Sequence, residues 1–230
     1  SSTYREDGNT FYTVMPKGIA INPNNQNQVF CGSFISGILR LDLKDIENSL
    51  HMSRPSEEGF GKPGFVQIVP EPVAPNNRYQ TSFGDPVFDA GGNLWIGYAD
   101  GDLNNVKGKG SLQAWLWTKE DIFESKDAAT FRPFRKFEYS GVKSNGGIRV
   151  LPLKHSSSRN LVLLNSGVND GTIRILNHAG TFDRSGDDRT TVMDRIVDQD
   201  GSGVNFTTLY SWLEDPQTGT VWVGTHSGVF

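Results

Sequence analysis

The sequence predicts an all-β fold, and three observations carry that prediction. Apolar residues fall in short runs bounded by Gly, Pro, Asn or Asp, too brief for helices and well sized for strands. Aromatic residues make up 11% of the 230-residue chain, beside 26 Gly and 11 Pro, the mixture that pleated surfaces joined by tight turns require. One plan of strand, polar turn, strand, glycine turn and strand also recurs along the chain. With hydrophobic residues at 36% and charged residues at 21%, a packed core is within reach and a disordered chain is excluded.

The repeat is clearest between Asp89–Gly101 and Asp215–Gly228, which share Gly-x-(Leu/Val)-Trp-(Ile/Val)-Gly-x-x-x-Gly. A looser copy runs through Ile19–Pro23, Gln28–Ser33 and Gly37–Leu41, and another through Ile148–Leu153, Leu161–Leu164 and Gly171–Leu176. The turn glycines Gly37, Gly101, Gly171 and Gly228 recur roughly every sixty residues, a blade-sized period lengthened by insertions. The expected architecture is a β-propeller or partial propeller of about four blades, built of antiparallel four-stranded sheets with short helical insertions. The whole of 1–230 is expected as one unit, with blades near 11–50, 65–122, 131–182 and 192–230.

Local chemistry explains each element. Asp89 and Asp215 precede turn residues because a carboxylate can accept from backbone N–H groups two residues on. Trp95 and Trp222 sit mid-strand at matching positions and are expected as wedges between twisted sheets. Gly97 and Gly224 leave room for a neighbouring backbone. Leu39, Leu41 and Leu43 alternate with Arg40 and Asp42, as Ile173 and Ile175 flank Arg174, so each third strand has one buried face. Leu41–Ile46 and Leu116–Ile122 run from strand into helical turn, and Thr118 with Asp121 has capping-box spacing. Residues 53–64 and 127–143 are expected as long surface loops. The last unit is expected to be short, either completed by Phe11–Met15 in a small ring or belonging to a slice of a larger propeller. A slice would pair through an edge strand with a second chain, or rest against remaining blades of a larger chain. Ser1-Ser2-Thr3 has neither an initiator Met nor a signal peptide's apolar core, so the sequence is expected to begin inside a longer gene product.

Several function classes are disfavoured. There are 22 basic and 26 acidic residues, net charge −4, with no basic block to track phosphates, so no nucleic-acid partner is expected. No apolar stretch approaches membrane-helix length, so direct membrane insertion is not expected. Cys31, the single cysteine, has no internal disulfide partner and is expected as a small core residue. His51, His155, His178 and His226 lack metal-ligand spacing, and Asp198–Gly203 lacks the later ligands of a calcium loop. No metal and no cofactor are expected, and neither a Gly-x-Ser-x-Gly elbow nor a phosphate loop is present. The remaining candidates cluster at the glycine turns: Asp100, Asp102, Asp170 and His226 as polar groups that could converge on one face. Phe34, Tyr98, Trp115 and Trp117 are aromatic faces able to stack on a sugar.

The motifs at Asp89–Gly97 and Gly219–Val229 resemble the two-component regulator propeller repeat. That family supplies extracytoplasmic sensors of bacterial hybrid histidine kinases, and similar propellers occur in PorZ-type surface proteins. The resemblance implies a periplasmic or cell-surface location and a non-catalytic sensor or scaffold role, with a glycan fragment or a protein as partner. The alternative is a carbohydrate-active propeller enzyme, a glycoside hydrolase or lyase, which would require a pair of buried carboxylates with raised pKa.

Overall fold

A computed structural model describes residues 4–6, 9–11, 16–33, 37–45, 65–68, 81–100, 111–124, 133–140, 149–167, 170–197 and 200–230. The described residues form successive antiparallel meanders, each strand bonded to the next in sequence. Apart from a small hairpin of β1 (Tyr4–Glu6) and β2 (Asn9–Phe11), the first blade comprises β3 (Pro16–Ile21), β4 (Gln28–Ser33), β5 (Gly37–Asp42) and β6 (Phe65–Ile68). The second comprises β7 (Thr81–Phe88), β8 (Leu94–Asp100), β9 (Ser111–Trp117) and β10 (Arg135–Ser140). The third comprises β11 (Arg149–Pro152), β12 (Leu161–Asn165), β13 (Ile173–Asn177) and β14 (Arg189–Met193). A hairpin of β15 (Ile196–Val197) and β16 (Gly203–Val204) leads to the last blade, β17 (Leu209–Glu214), β18 (Val221–Thr225) and β19 (Gly228–Val229). These are the blades of an all-β propeller fold.

The sheets divide the chain differently from the expected blade limits. Strand β6 completes the first sheet, whereas the second blade was expected to begin at 65; β10 and β14 likewise close the second and third sheets. Residues 127–143, expected as a loop, contain β10, in which Phe137 is buried while Lys136 and Glu138 are exposed. The outer strand of a blade follows a long insertion, and that separation hides it from a reading based on adjacent hairpins. The two helical turns stand where expected, a 3-10 turn at Leu43–Asp45 and α1 at Lys119–Glu124. At the start of α1 the Asp121 carboxylate accepts from Thr118 N (2.9 Å), and Thr118 Oγ1 accepts from Asp121 N (3.2 Å), closing the capping box.

The core lies between the sheets, in three clusters that are the three interfaces of a four-blade stack. Phe30 and Ile38 of the first blade meet Leu94, Ile96, Tyr98, Trp115 and Trp117 of the second. Trp95, Leu112, Ala114 and Leu116 on the other face of the second blade meet Val150, Val162, Leu164 and Leu176 of the third. Leu151, Leu163 and Ile173 on the third blade's far face meet Leu209 and Val223 of the last. Trp95 is thus the expected wedge, fully buried at 0% exposure and stacked on Phe137 at 5.5 Å between ring centres. Trp222 is not a wedge in this structure: it is 53% exposed, and no sheet among the described residues covers the face of the last blade from which it projects.

Polar contacts repeat from blade to blade on the rim where first and second strands turn. Gly92, at φ +83°, packs against the Asn24 side chain of the preceding blade, and Gly219, at φ +73°, packs against His155 of the blade before it. Both turns adopt a left-handed conformation that glycine accepts readily and that strains any other residue. The buried Glu214 of the last blade accepts from Lys154 N (2.5 Å) and His155 N (3.0 Å) of the third, pinning the same joint. Between second and third blades, Arg135 donates to Phe182 O, Arg184 O and Asp188 Oδ2.

Candidate functional site

The turns between second and third strands share one rim, and the meander places the polar candidates there. In the third blade this turn runs from Ser166 to Thr172, and in the last it is His226-Ser227. Phe34 and Asp102, in the corresponding turns of the first two blades, lie outside the described residues. Asp100 ends β8, paired with Thr81 and Ser111, and its side chain is not among those described.

Asp170 is buried and organises its own turn. Its carboxylate accepts from Ser166 N (2.8 Å), Thr172 Oγ1 (2.6 Å) and Arg174 Nη1 (2.7 Å). Burial pushes the Asp170 carboxyl up, but the Arg174 guanidinium, the Thr172 hydroxyl and the Ser166 N–H together hold it below the ordinary 3.8. The neighbouring Asn165, fully buried, stands where the other blades carry Gly32, Gly97 and Gly224. It donates to Asp170 O (3.0 Å) and Thr172 O (2.8 Å) and accepts from Gly167 N (2.6 Å). The sequence reading passed over Asn165; its departure from an otherwise repeated glycine is the signal that marks it.

His226 is exposed on the next blade, its Nδ1 within 3.3 Å of the Thr207 N–H. Gly171 lies directly against this same segment, since a Cβ there would come within 2.2 Å of Phe206 O. The turns carrying Asp170 and His226 therefore flank one strip of backbone, 206–207.

The aromatic candidates lie elsewhere. Tyr98, Trp115 and Trp117 are buried between first and second blades, with Tyr98 and Trp115 rings 4.8 Å apart and Trp115 and Trp117 rings 6.0 Å apart. Lys136 Nζ lies 4.3 Å over the Trp115 ring, and Trp115 Nε1 donates to Gln113 Oε1. Their expected role as sugar platforms is corrected to core packing, because alternate residues of β8 and β9 face the first blade and these three are on that side.

A polar pair missed in the sequence bridges the innermost strands. Arg149 on β11 donates to Asp85 on β7 at 2.5 Å, and each side chain is about a quarter exposed. Asp85 lies in the β7 irregularity between Phe83 and Pro86. Of the Asp198–Gly203 run, Asp198 and Gln199 lie outside the described residues, Asp200 accepts from Ser202 N at 2.8 Å, and Gly203 begins β16. Among the described residues no group of three or more His, Cys, Asp and Glu is placed to hold a metal, and no helix is long and apolar enough to cross a membrane.

The sequence matches no protein-family model and no curated protein. Among solved structures it is similar to PorZ, an essential bacterial surface component of the type-IX secretion system of Porphyromonas gingivalis. The identity is 19% and the TM-score 0.50, over 92% of this chain and 24% of that one. It is also similar to the β-propeller domain of Cps50 (Swd1) from Myceliophteria thermophila, at 15% identity and a TM-score of 0.46, over 96% of this chain and 57% of that one. The chain thus spans about a quarter of the PorZ chain it matches, and at this identity the likeness bears on the fold alone.

Proposed function

We propose that this chain is a non-catalytic binding or scaffolding propeller that docks a protein partner along the glycine-turn rim, at an extracytoplasmic surface. The observation that carries this reading is the state of Asp170. Its carboxylate is committed to Arg174, Thr172 and Ser166 and is held low, whereas a glycosidase acid must be held high to carry a proton near neutral pH. Asp187 and Asp215, the other carboxyls with a shifted pKa among the described residues, are also lowered, Asp187 chiefly by the Thr181 hydroxyl and Asp215 chiefly by the Gln217 N–H. Burial of Tyr98, Trp115 and Trp117 takes the aromatic faces singled out in the sequence away from any sugar, which supports a protein over a glycan partner. The extracytoplasmic setting, and a sensor or surface-assembly role, are part of this proposal; the resemblance of the repeat motifs at Asp89–Gly97 and Gly219–Val229 and the likeness in fold to a bacterial surface component support them.

The test is a panel of neutral and acidic oligosaccharides assayed for binding and for release of reducing ends or unsaturated products. A flat response in both is expected. Turnover abolished by Asp170→Asn would overturn the non-catalytic reading, and saturable binding without turnover would replace the protein partner by a glycan.

A further inference from the structure

Two Asp-Gly pairs lie wholly within the described residues, Asp170-Gly171 and Asp200-Gly201, and they stand in opposite surroundings. In such a pair the glycine main-chain nitrogen can attack the aspartate side-chain carbon, because no Cβ stands beside the attacking atom. The new N–C bond closes a cyclic imide, while the amide hydrogen and a carboxyl OH leave as water. Water then adds back to one imide carbonyl. Addition at the side-chain carbonyl restores aspartate; addition at the main-chain carbonyl gives isoaspartate, with the chain running through the side-chain carbon and a free α-carboxylate. Water lost equals water regained, and nothing is oxidised or reduced.

Asp170-Gly171 is closed to this chemistry. The carboxylate is buried and held ionised by Ser166 N, Thr172 Oγ1 and Arg174 Nη1, whereas ring closure expels water from a protonated carboxyl. Gly171 is also pressed against Phe206 O, which leaves the pair no room to pucker into a ring. Asp200-Gly201 is open to it. Asp200, Gly201 and Ser202 are all exposed, and nothing lies within 4 Å of the position a Cβ on Gly201 would take. Asp200 Oδ1 accepts from Ser202 N (2.8 Å) and from Ser202 Oγ. Both donors belong to the residue after the glycine, so the carboxyl is folded forward over the Gly201 nitrogen, and they draw electron density from the carbon to be attacked.

We propose that Asp200-Gly201 is a site at which the folded chain forms isoaspartate, and that the fold protects Asp170-Gly171 from the same reaction. The inference is independent of what the rim docks. Conversion lengthens the main chain between β15 and β16, a hairpin of two register pairs whose Ile196 packs against the cluster joining third and last blades.

The test ages the chain at neutral pH, folded and in urea, and then digests it. Isoaspartate is located by fragmentation in the mass spectrometer and counted by methyl transfer from S-adenosylmethionine with an isoaspartyl methyltransferase. The readout is taken peptide by peptide, because the pairs at 7–8, 100–101 and 145–146 reach outside the described residues. In the folded chain isoaspartate is expected at position 200 at least about tenfold faster than at 170, since the buried pair must open first. Urea should bring the two rates within about twofold. Asp200→Asn closes the same imide by losing ammonia and should raise the yield at 200, whereas Asp200→Glu would need a larger ring and should abolish it. Far-UV circular dichroism checks that both variants are folded. Equal rates at 200 and 170 in the folded chain overturn the proposal, as does an isoaspartate count in that peptide left unchanged by Asp200→Glu.

Discussion

Asp85 sits where three inner strands converge: it accepts from Arg149 of the third blade at 2.5 Å and fills the space over Gly18 of the first. A Cβ on Gly18 would come 2.7 Å from Asp85 Oδ1 and 2.8 Å from its Cβ, so Gly18→Ala must displace the whole side chain and with it the ion pair. Arg149→Met should destabilise the fold by about 1–2 kcal/mol, less than the loss of a fully buried pair because water reaches both groups. In the Gly18→Ala background the same substitution should have a smaller effect. A double-mutant cycle by chemical denaturation measures the coupling, and strict additivity would show that the three strands do not share this contact.

Backbone approach between blades leads to a second prediction. A Cβ on Gly32 would lie 1.8 Å from Gly84 O, and one on Gly171 2.2 Å from Phe206 O, both main-chain atoms of the next blade's approach or inner strand. Neither carbonyl can move without shifting its strand. Gly32→Ala and Gly171→Ala should each destabilise by about 3 kcal/mol or prevent folding. Gly186→Ala, where nothing lies within 4 Å, should be neutral or stabilising by about 0.5 kcal/mol. Thermal melts of the three variants decide, and an equal response from Gly32 and Gly186 would remove the close approach as the cause.

Local chemistry was legible in the sequence and contacts between distant segments were not. Asp89 announced its turn, and the structure shows why: Gly91 N, Asn93 N and Trp95 Nε1 all donate to it, every donor within six residues. Thr118 and Asp121 are three residues apart and were equally plain. Asp85 and Arg149 are 64 residues apart, and nothing in the spacing of either marks the pair. Asp170 was visible as a turn residue, but its low, committed state depends on Arg174 from the next strand reaching back across the turn. Trp222 matches Trp95 in sequence and differs in environment, since burial depends on whether a further sheet is present. Phe34 and Asp102 lie beyond the described residues, so that part of the expected rim has no structural counterpart here.

His178 gives the fold an acid-sensitive joint. It is buried with its ring 4.7 Å from Phe182 and 5.9 Å from Trp95, and its Nδ1 accepts from Gly180 N. Burial lowers its pKa below 6.5, and the nearby Asp89 and Asp188 only partly offset this. The unfolded chain therefore takes up this proton first as pH falls. Stability owed to His178 is complete above 6.5 and declines as pH drops from there toward the folded value. Denaturation midpoints at about pH 7.5 and about pH 5.5 should show the decline in the unaltered chain. His178→Phe, which keeps an aromatic ring beside Trp95, should flatten it, and an equal decline in the variant would assign the acid sensitivity to other groups.

The two matched tryptophans should respond very unequally to truncation. Trp95 fills the interface between second and third blades, and Asp89 Oδ2 accepts from its Nε1 at 3.0 Å. Trp95→Ala removes that packing, opens a cavity and leaves the Asp89 carboxylate one donor short, a loss of about 3–5 kcal/mol. Trp222 packs under no neighbouring sheet among the described residues, so Trp222→Ala should change stability by less than about 0.5 kcal/mol. Chemical denaturation of the two variants beside the unaltered chain measures both losses. A loss as large as that of Trp95→Ala would show that Trp222 is packed and would overturn the contrast drawn from its 53% exposure.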